Sequence, residues 1–116
     1  MLNPTRTTLL RIPFAVVVLI SWVVLFTPAS GVPSAPPWTD KVIHLLLFGA
    51  LAATGSVAGF RARPLLVGLV CYAVISEVLQ AVLPIGRDGD VLDAAVDLLG
   101  GLGGRWAARA ARRPPQ

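Results

Sequence analysis

The residues of this sequence that are best suited to catalysis or ligand binding are acidic side chains and one histidine, and their spacing is that of helices. The segment DKVIH places Asp40 four residues, and Lys41 three residues, before His44, so a helix would bring the three to one face. The segment SEVLQ carries Glu77 and, three residues later, Gln80. The segment DVLDAAVD has acidic residues that recur with helical spacing, at Asp90, Asp93 and Asp97. The pattern predicts polar stripes on three helices.

The elements that must position these residues are strongly apolar. The chain has 116 residues, of which 55% are hydrophobic and 14% charged, and its mean hydropathy is +0.75. A soluble domain usually carries about 25% charged residues, so composition excludes an ordinary soluble domain as well as a disordered chain. Cys71 is the only cysteine, which excludes a disulfide scaffold. The length fits a single domain over residues 1–116.

Four apolar stretches divide the chain, at about residues 12–28, 42–60, 65–85 and 90–108. About 20 apolar residues cross a bilayer as a helix. We therefore predict an all-α integral membrane four-helix bundle with four transmembrane helices. Pro13 and Pro64 are predicted to lie in the opening turns of the first and third spans, where proline is tolerated. An alternative takes residues 1–31 as a signal peptide.

Two pairs of glycines have the small-xxx-small spacing that lets helix backbones approach closely in lipid. They are Gly55 with Gly59 and Gly100 with Gly104. We predict that both pairs lie in helix contacts.

Basic residues set the expected orientation, because they are enriched on the cytoplasmic side of membrane proteins. Lys41 and Arg87 lie on one predicted side, and all other basic residues lie on the opposite side: Arg6, Arg11, Arg61, Arg63, Arg105, Arg109, Arg112 and Arg113. Both termini are therefore predicted to be cytoplasmic. The basic tail is expected to contact anionic lipid headgroups, and no nucleic acid is needed to explain it.

The acidic residues lie on the other, extracytoplasmic side, either outside the spans or in their outer halves. A carboxylate within a span costs about 2.5–3.5 kcal/mol unless it is paired or hydrated, so Glu77 and Asp97 indicate a functional polar pocket with Gln80 and Arg87. Structural interhelical hydrogen bonding is the alternative for the two buried acids. Three other acidic residues could instead stabilise helix beginnings as capping residues: Asp40, Asp90 and Asp93.

A divalent metal site is a further alternative, because oxygen-rich ligand sets suit Mg²⁺, Ca²⁺ or Mn²⁺. Its ligands would be His44, Glu77, Asp93 and Asp97, which lie on three helices, so spacing alone does not establish it. No zinc-protease motif of the HExxH type is present. The preferred interpretation assigns no metal and no cofactor.

The ordered polar motifs resemble those of the VanZ-like family of small bacterial membrane proteins. The similarity covers residues 40–104: the DKVIH start of one helix, the Glu-x-x-Gln segment, the loop with Arg87, and Asp93 followed by Asp97 and Gly100. Asp97 stands where the family usually has asparagine. The resemblance implies a multi-pass protein of the bacterial cell envelope, in a family whose namesake is associated with teicoplanin resistance.

We therefore expect a protein of the bacterial inner membrane with an extracytoplasmic pocket for an envelope ligand, such as a lipid headgroup, a lipid-linked wall precursor or a glycopeptide. The predicted ligand-binding residues are Asp40, Lys41, His44, Glu77, Gln80, Arg87, Asp93 and Asp97. Two alternatives stay open: a membrane hydrolase or transferase with Glu77 or His44 as general base, and a purely structural or accessory protein.

The predicted orientation is tested by a reporter fused after Gln116, the last residue. We expect the activity of a cytoplasmic reporter, because the basic residues near the C-terminus favour retention on that side. An extracytoplasmic C-terminus would contradict both the orientation and the placement of the acidic side chains.

Overall fold

The computed structural model describes residues 4–31, 36, 38–86 and 91–112, and helices account for most of them. The helices are α1 (Pro4–Phe26), α2 (Trp38–Val57), α3 (Ala62–Val82) and α4 (Val91–Arg112), with one 3₁₀ turn at Ala29–Gly31. The described residues contain no strand. The all-α prediction and the four predicted helices are confirmed.

The helix bounds differ from the predicted spans: α1, α2 and α3 begin before the predicted residues, whereas α2 and α3 end before the predicted residues 60 and 85. α1 begins at Pro4, well before residue 12, and Pro13 therefore lies inside the helix. The prediction that Pro13 occupies an opening turn is wrong, and its missing N–H is a break that membrane helices tolerate. Pro64 does lie in the first turn of α3, as predicted. α4 continues to Arg112, past the predicted residue 108, because its basic end is also helical.

Three helices, α1 from Thr5 onwards, α2 and α3, are long and apolar enough to cross a membrane. α4 has 22 residues, but it is the least apolar of the helices because acidic and basic side chains interrupt it. Its crossing of a membrane therefore stays a prediction. Large apolar side chains point outward on all four helices, as expected of surfaces that face lipid; examples are Leu9, Val23, Leu46, Val67, Val82, Leu99 and Trp106.

The connection between α2 and α3 is a tight turn built around a glycine. Gly59 has a φ of 94°, and the N–H of Phe60 donates to the carbonyl of Gly55 while the N–H of Gly59 donates to that of Ser56. These two bonds form a Schellman motif, which satisfies the last carbonyls of α2. Gly59 is thus a turn residue, and the prediction that it lies in a helix contact with Gly55 is wrong.

α2 and α4 form the most extensive helix contact and run in the same direction. Lys41 of α2 contacts Asp93 near the start of α4, and Ser56 near the end of α2 contacts Arg105 further along α4. A Cβ atom on Gly100 would overlap the carbonyl oxygen of Leu45, and one on Gly104 would overlap the carbonyl oxygen of Gly49. The predicted packing role of Gly100 and Gly104 is confirmed.

α1 and α3 pack around this pair and complete an apolar core. The buried core residues are Leu25, Leu47, Phe48, Leu51, Ala52, Leu65, Leu69 and Ala73. Phe14 of α1 contacts Phe60 edge to face, and the guanidinium of Arg11 lies over the ring of Phe60. These contacts hold the beginning of α1 against the α2–α3 turn.

The α2–α4 contact predicts different effects for neighbouring glycines of α4. Gly104→Ala should destabilise the protein by about 1–3 kcal/mol, because the new methyl group meets backbone atoms that have no room to move. Gly103→Ala is the matched control, because its Cβ would meet nothing within 4 Å. It should stabilise the helix by up to about 1 kcal/mol. Unfolding of both purified variants in detergent micelles measures the difference, and equal effects would contradict the close contact.

Candidate functional site

Six of the predicted site residues converge at the end of the bundle where α2 and α4 begin. α2 contributes residues of its first two turns, α4 contributes two residues one turn apart, and α3 contributes one acid near its last turn. We call this group the polar cluster: Asp40, Lys41, His44, Glu77, Asp93 and Asp97. Because residues from 40 to 97 come together from three helices, the cluster depends on tertiary packing.

The centre of the polar cluster is the pair formed by His44 and Asp97. Nδ1 of His44 lies 2.7 Å from Oδ1 of Asp97. The two residues are 1% and 0% exposed. An ionised carboxylate only accepts hydrogen bonds, so when Asp97 is ionised and no cation is bound, Nδ1 of the imidazole is the donor. The pair therefore fixes the position of the imidazole.

Two further carboxyl groups approach the same imidazole. Oε1 of Glu77 lies 4.0 Å from Nδ1 of His44, on the same side as Asp97. Oδ2 of Asp40 lies 3.6 Å from Nε2, the other ring nitrogen. His44 is thus placed between a buried pair of carboxyl groups and one partly exposed carboxyl group.

Lys41 makes the second cross-helix ion pair of the cluster. Its ammonium Nζ donates to Oδ1 of Asp93 over 3.2 Å. The side chain of Lys41 is 37% exposed and that of Asp93 is 7% exposed. This pair lies about one turn nearer to the beginnings of α2 and α4 than the His44–Asp97 pair.

The charges of the polar cluster do not balance. It contains four carboxyl groups, on Asp40, Glu77, Asp93 and Asp97, against one lysine and one histidine. A buried carboxylate is retained only when a proton, a cation or hydrogen-bond donors compensate it. Oδ2 of Asp97 is buried and has no hydrogen-bond partner among the described residues. The cluster is therefore electrostatically suited to receive a cation or a donor-rich group.

The geometry divides the predicted metal ligands into two groups that share His44. One group is His44, Glu77 and Asp97, which are all buried, and the other is Asp40, His44 and Asp93. Within each group, one ligand atom per residue lies within 4.8 Å of the others. The metal ligands predicted from the sequence form one set without Asp40. The structure instead divides them into a more deeply buried group and a group nearer the surface that includes Asp40.

Two predicted site residues lie elsewhere. Gln80 is buried, but its Nε2 donates to the carbonyl oxygen of Leu25 over 2.8 Å, which links α3 to the end of α1. Arg87 lies outside the described residues, as does Asp90, whose alternative role was helix capping. Asp40 is not the capping residue of α2, because the helix begins at Trp38 and Asp40 belongs to its first turn.

Two polar contacts between helices were not predicted from the sequence. Oγ of Ser21 and Oη of Tyr72 lie 2.6 Å apart and join α1 to α3. At the opposite end of the bundle, Nη1 of Arg105 donates to Oγ of Ser56 over 3.1 Å. Ser21 and Tyr72 each interrupt an apolar stretch, and this was the available indication of an interhelical partner.

The central pair predicts a strong dependence of stability on His44. His44→Leu should destabilise the protein by about 3–5 kcal/mol, because it leaves the carboxylate of Asp97 buried without its donor. Lys41→Met should cost less than His44→Leu, because the side chain of Lys41 is 37% exposed and its ion pair is partly screened, although Asp93 itself is buried. Unfolding by titration with a denaturing detergent gives both values.

The double variant His44→Leu/Asp97→Leu is the control for this prediction. It removes both charges and should recover most of the stability lost in His44→Leu. A double variant that is no more stable than His44→Leu would contradict the assignment of the loss to an uncompensated carboxylate.

Neither a family model, nor a curated protein, nor a solved structure matches the chain. The resemblance to the VanZ-like family stays a prediction based on the order of the polar motifs.

Proposed function

We propose that this chain is an integral membrane protein of the bacterial cell membrane, with an extracytoplasmic pocket that binds an envelope ligand. The observation that carries the proposal is the convergence of the polar cluster. Side chains from three helices, far apart in sequence, are buried together around His44. A bundle that needed only apolar contacts would not keep so many ionisable groups at one place, because each is costly in an apolar environment.

The separation of charge between the two ends of the bundle supports the proposed orientation. The polar cluster lies where α2 and α4 begin, whereas Arg11 and Arg105 contact residues at the α2–α3 end. Arg61 and Arg63 belong to that same end. Under the preference for basic residues in the cytoplasm, the α2–α3 end faces inward and the polar cluster faces outward.

The chemistry of the polar cluster favours a ligand that carries hydrogen-bond donors. Carboxyl groups accept hydrogen bonds from hydroxyl and amine groups, which lipid headgroups and wall precursors provide. Lys41, whose ammonium is partly exposed, supplies a cation for a phosphate group of such a ligand. The lipid part of such a ligand would stay in the bilayer, where it would contact the outward apolar surfaces of α1, α2 and α3.

The resemblance to the VanZ-like family supports an envelope setting, and the association of its namesake with teicoplanin resistance suggests a cellular assay. We therefore propose that a glycopeptide or its lipid-linked target is among the ligands. This part of the proposal depends on the motifs alone.

An enzymatic function is the second candidate, and one observation favours it. A carboxylate held 2.7 Å from a ring nitrogen of histidine is the arrangement that orients the imidazole as a general base. In that case His44 would accept a proton from water or from a hydroxyl group of a lipid-linked substrate. Ser76 is not positioned as its nucleophile, because its hydroxyl group is buried and donates to the carbonyl of Ala73.

Expression in a teicoplanin-susceptible bacterium tests the proposed function. We expect the wild-type chain to raise the inhibitory concentration, and Glu77→Gln to abolish the increase at matched protein level, because it removes one acceptor charge from the pocket. Ser76→Ala is the matched control, since it removes a neighbouring polar group whose hydrogen bond stays within α3.

Equal susceptibility of cells with the wild-type chain and with Glu77→Gln would contradict a role of the polar cluster in this phenotype. A loss of folded protein in Glu77→Gln, with Ser76→Ala unaffected, would instead favour the structural alternative.

A further inference from the structure

We propose that His44, Glu77 and Asp97 form a binding site for a divalent transition-metal ion. The inference deepens the proposed function, and rests on it, by naming a cation as a component of the extracytoplasmic pocket. It concerns the buried half of the polar cluster, and it leaves Lys41 and Asp93 outside the ligand set.

The two distances from Nδ1 of His44 fit one ion, and the ligand atoms of all three residues lie within 4.8 Å of one another. Ligand atoms bound to the same ion at about 2.1 Å lie no more than about 4.2 Å apart. Nδ1 of His44 lies 4.0 Å from Oε1 of Glu77 and 2.7 Å from Oδ1 of Asp97. The shorter distance is that of a hydrogen bond, so the ion would take the place of the proton that His44 and Asp97 share.

An independent observation points to a missing partner. Asp97 is 0% exposed, and its Oδ2 has no hydrogen bond to any described residue. A carboxylate that uses one oxygen and leaves the other without a partner in a buried place is unusual in a folded protein. Coordination of an ion by Asp97 would satisfy this carboxylate.

The surroundings of the imidazole are also those of a metal ligand. A histidine that binds a metal through one nitrogen usually donates its other N–H to a carboxylate, which fixes the tautomer. Oδ2 of Asp40 lies 3.6 Å from Nε2 of His44, just beyond hydrogen-bond distance, so a small shift of the partly exposed Asp40 side chain would let it accept that N–H. With the proton on Nε2, the lone pair of Nδ1 faces Glu77 and Asp97. Asp40 is therefore a positioning residue, and it does not itself bind the ion.

The ligand set selects the kind of metal. One imidazole with two carboxylates suits ions such as Zn²⁺, Mn²⁺ or Fe²⁺, whereas Mg²⁺ prefers oxygen ligands alone. The two carboxylates would neutralise the charge of the ion, so the bound site carries no net charge into the bilayer.

The test uses the full chain, purified in detergent without a polyhistidine tag and treated with a chelator. We expect Zn²⁺ or Mn²⁺ to raise the unfolding temperature by about 5 °C or more near saturation, and Mg²⁺ at the same concentration to have a much smaller effect. Isothermal titration calorimetry should give one ion per chain. No binding of either transition metal, or equal binding of Mg²⁺, would overturn the proposal.

Variants locate the site. Asp97→Asn and Glu77→Gln preserve side-chain shape and should each weaken binding of Zn²⁺ at least tenfold, while Asp40→Asn should weaken it about 10–100-fold through the tautomer of His44. Ser76→Ala is the matched control and should bind as the wild type does, because its hydrogen bond stays within α3. Asp93→Asn should weaken binding of Zn²⁺ less than Asp97→Asn does, because Asp93 belongs to the other group of carboxyl groups. Loss of binding in Asp93→Asn as large as in Asp97→Asn would overturn the choice of the buried group.

The unfolding temperature without metal shows whether each variant folds. If Asp97→Asn fails to fold, Glu77→Gln decides the assignment by the same criterion. Metal binding without any effect of Glu77→Gln on susceptibility would uphold the metal site and contradict the envelope function. If the wild type binds no metal but Glu77→Gln abolishes the increase in inhibitory concentration, the metal site is contradicted and the envelope function is upheld.

Discussion

The close approach of α2 and α4 is the constraint on which the rest of the structure depends. Gly100 and Gly104 bring the backbone of α4 against the carbonyls of Leu45 and Gly49, a distance that no larger side chain permits. Because Leu45 follows His44 directly, this contact also sets how far His44 is from Asp97. The 2.7 Å separation of the two side chains is thus a consequence of backbone packing one residue away.

The same contact explains why ionisable groups can be buried at this place. Two helices that touch along their backbones leave no room for water or lipid between them, so each polar side chain must find its partner on the facing helix. Lys41 with Asp93 and His44 with Asp97 are such partners across the α2–α4 contact. Glu77 then reaches the pair from α3, which closes the cluster on a third side.

The sequence predicts the helices and most of the cluster, because both follow from regular spacing. Asp40 and His44 share a face of an α-helix, and a carboxylate inside an apolar stretch must turn inward. Helix ends were less predictable: Pro13 lies inside α1, since hydropathy marks the apolar segment and not the helix. The role of Gly59 in a turn and the bond from Gln80 to Leu25 depend on tertiary geometry, which spacing does not contain. The contact of Gly49 with α4 was not predicted, because no second glycine lies four residues away from it.

The parallel pairing of α2 and α4 has a consequence for biosynthesis. The two helices are separated in the chain by the whole of α3, so α2 and α3 leave the ribosome before α4 exists. During that interval His44 and Glu77 have no Asp97, although all residues of the apolar core already belong to α1, α2 and α3. Packing of α4 against α2 is then the step that brings Asp93 and Asp97 to the other acidic side chains and completes the polar cluster.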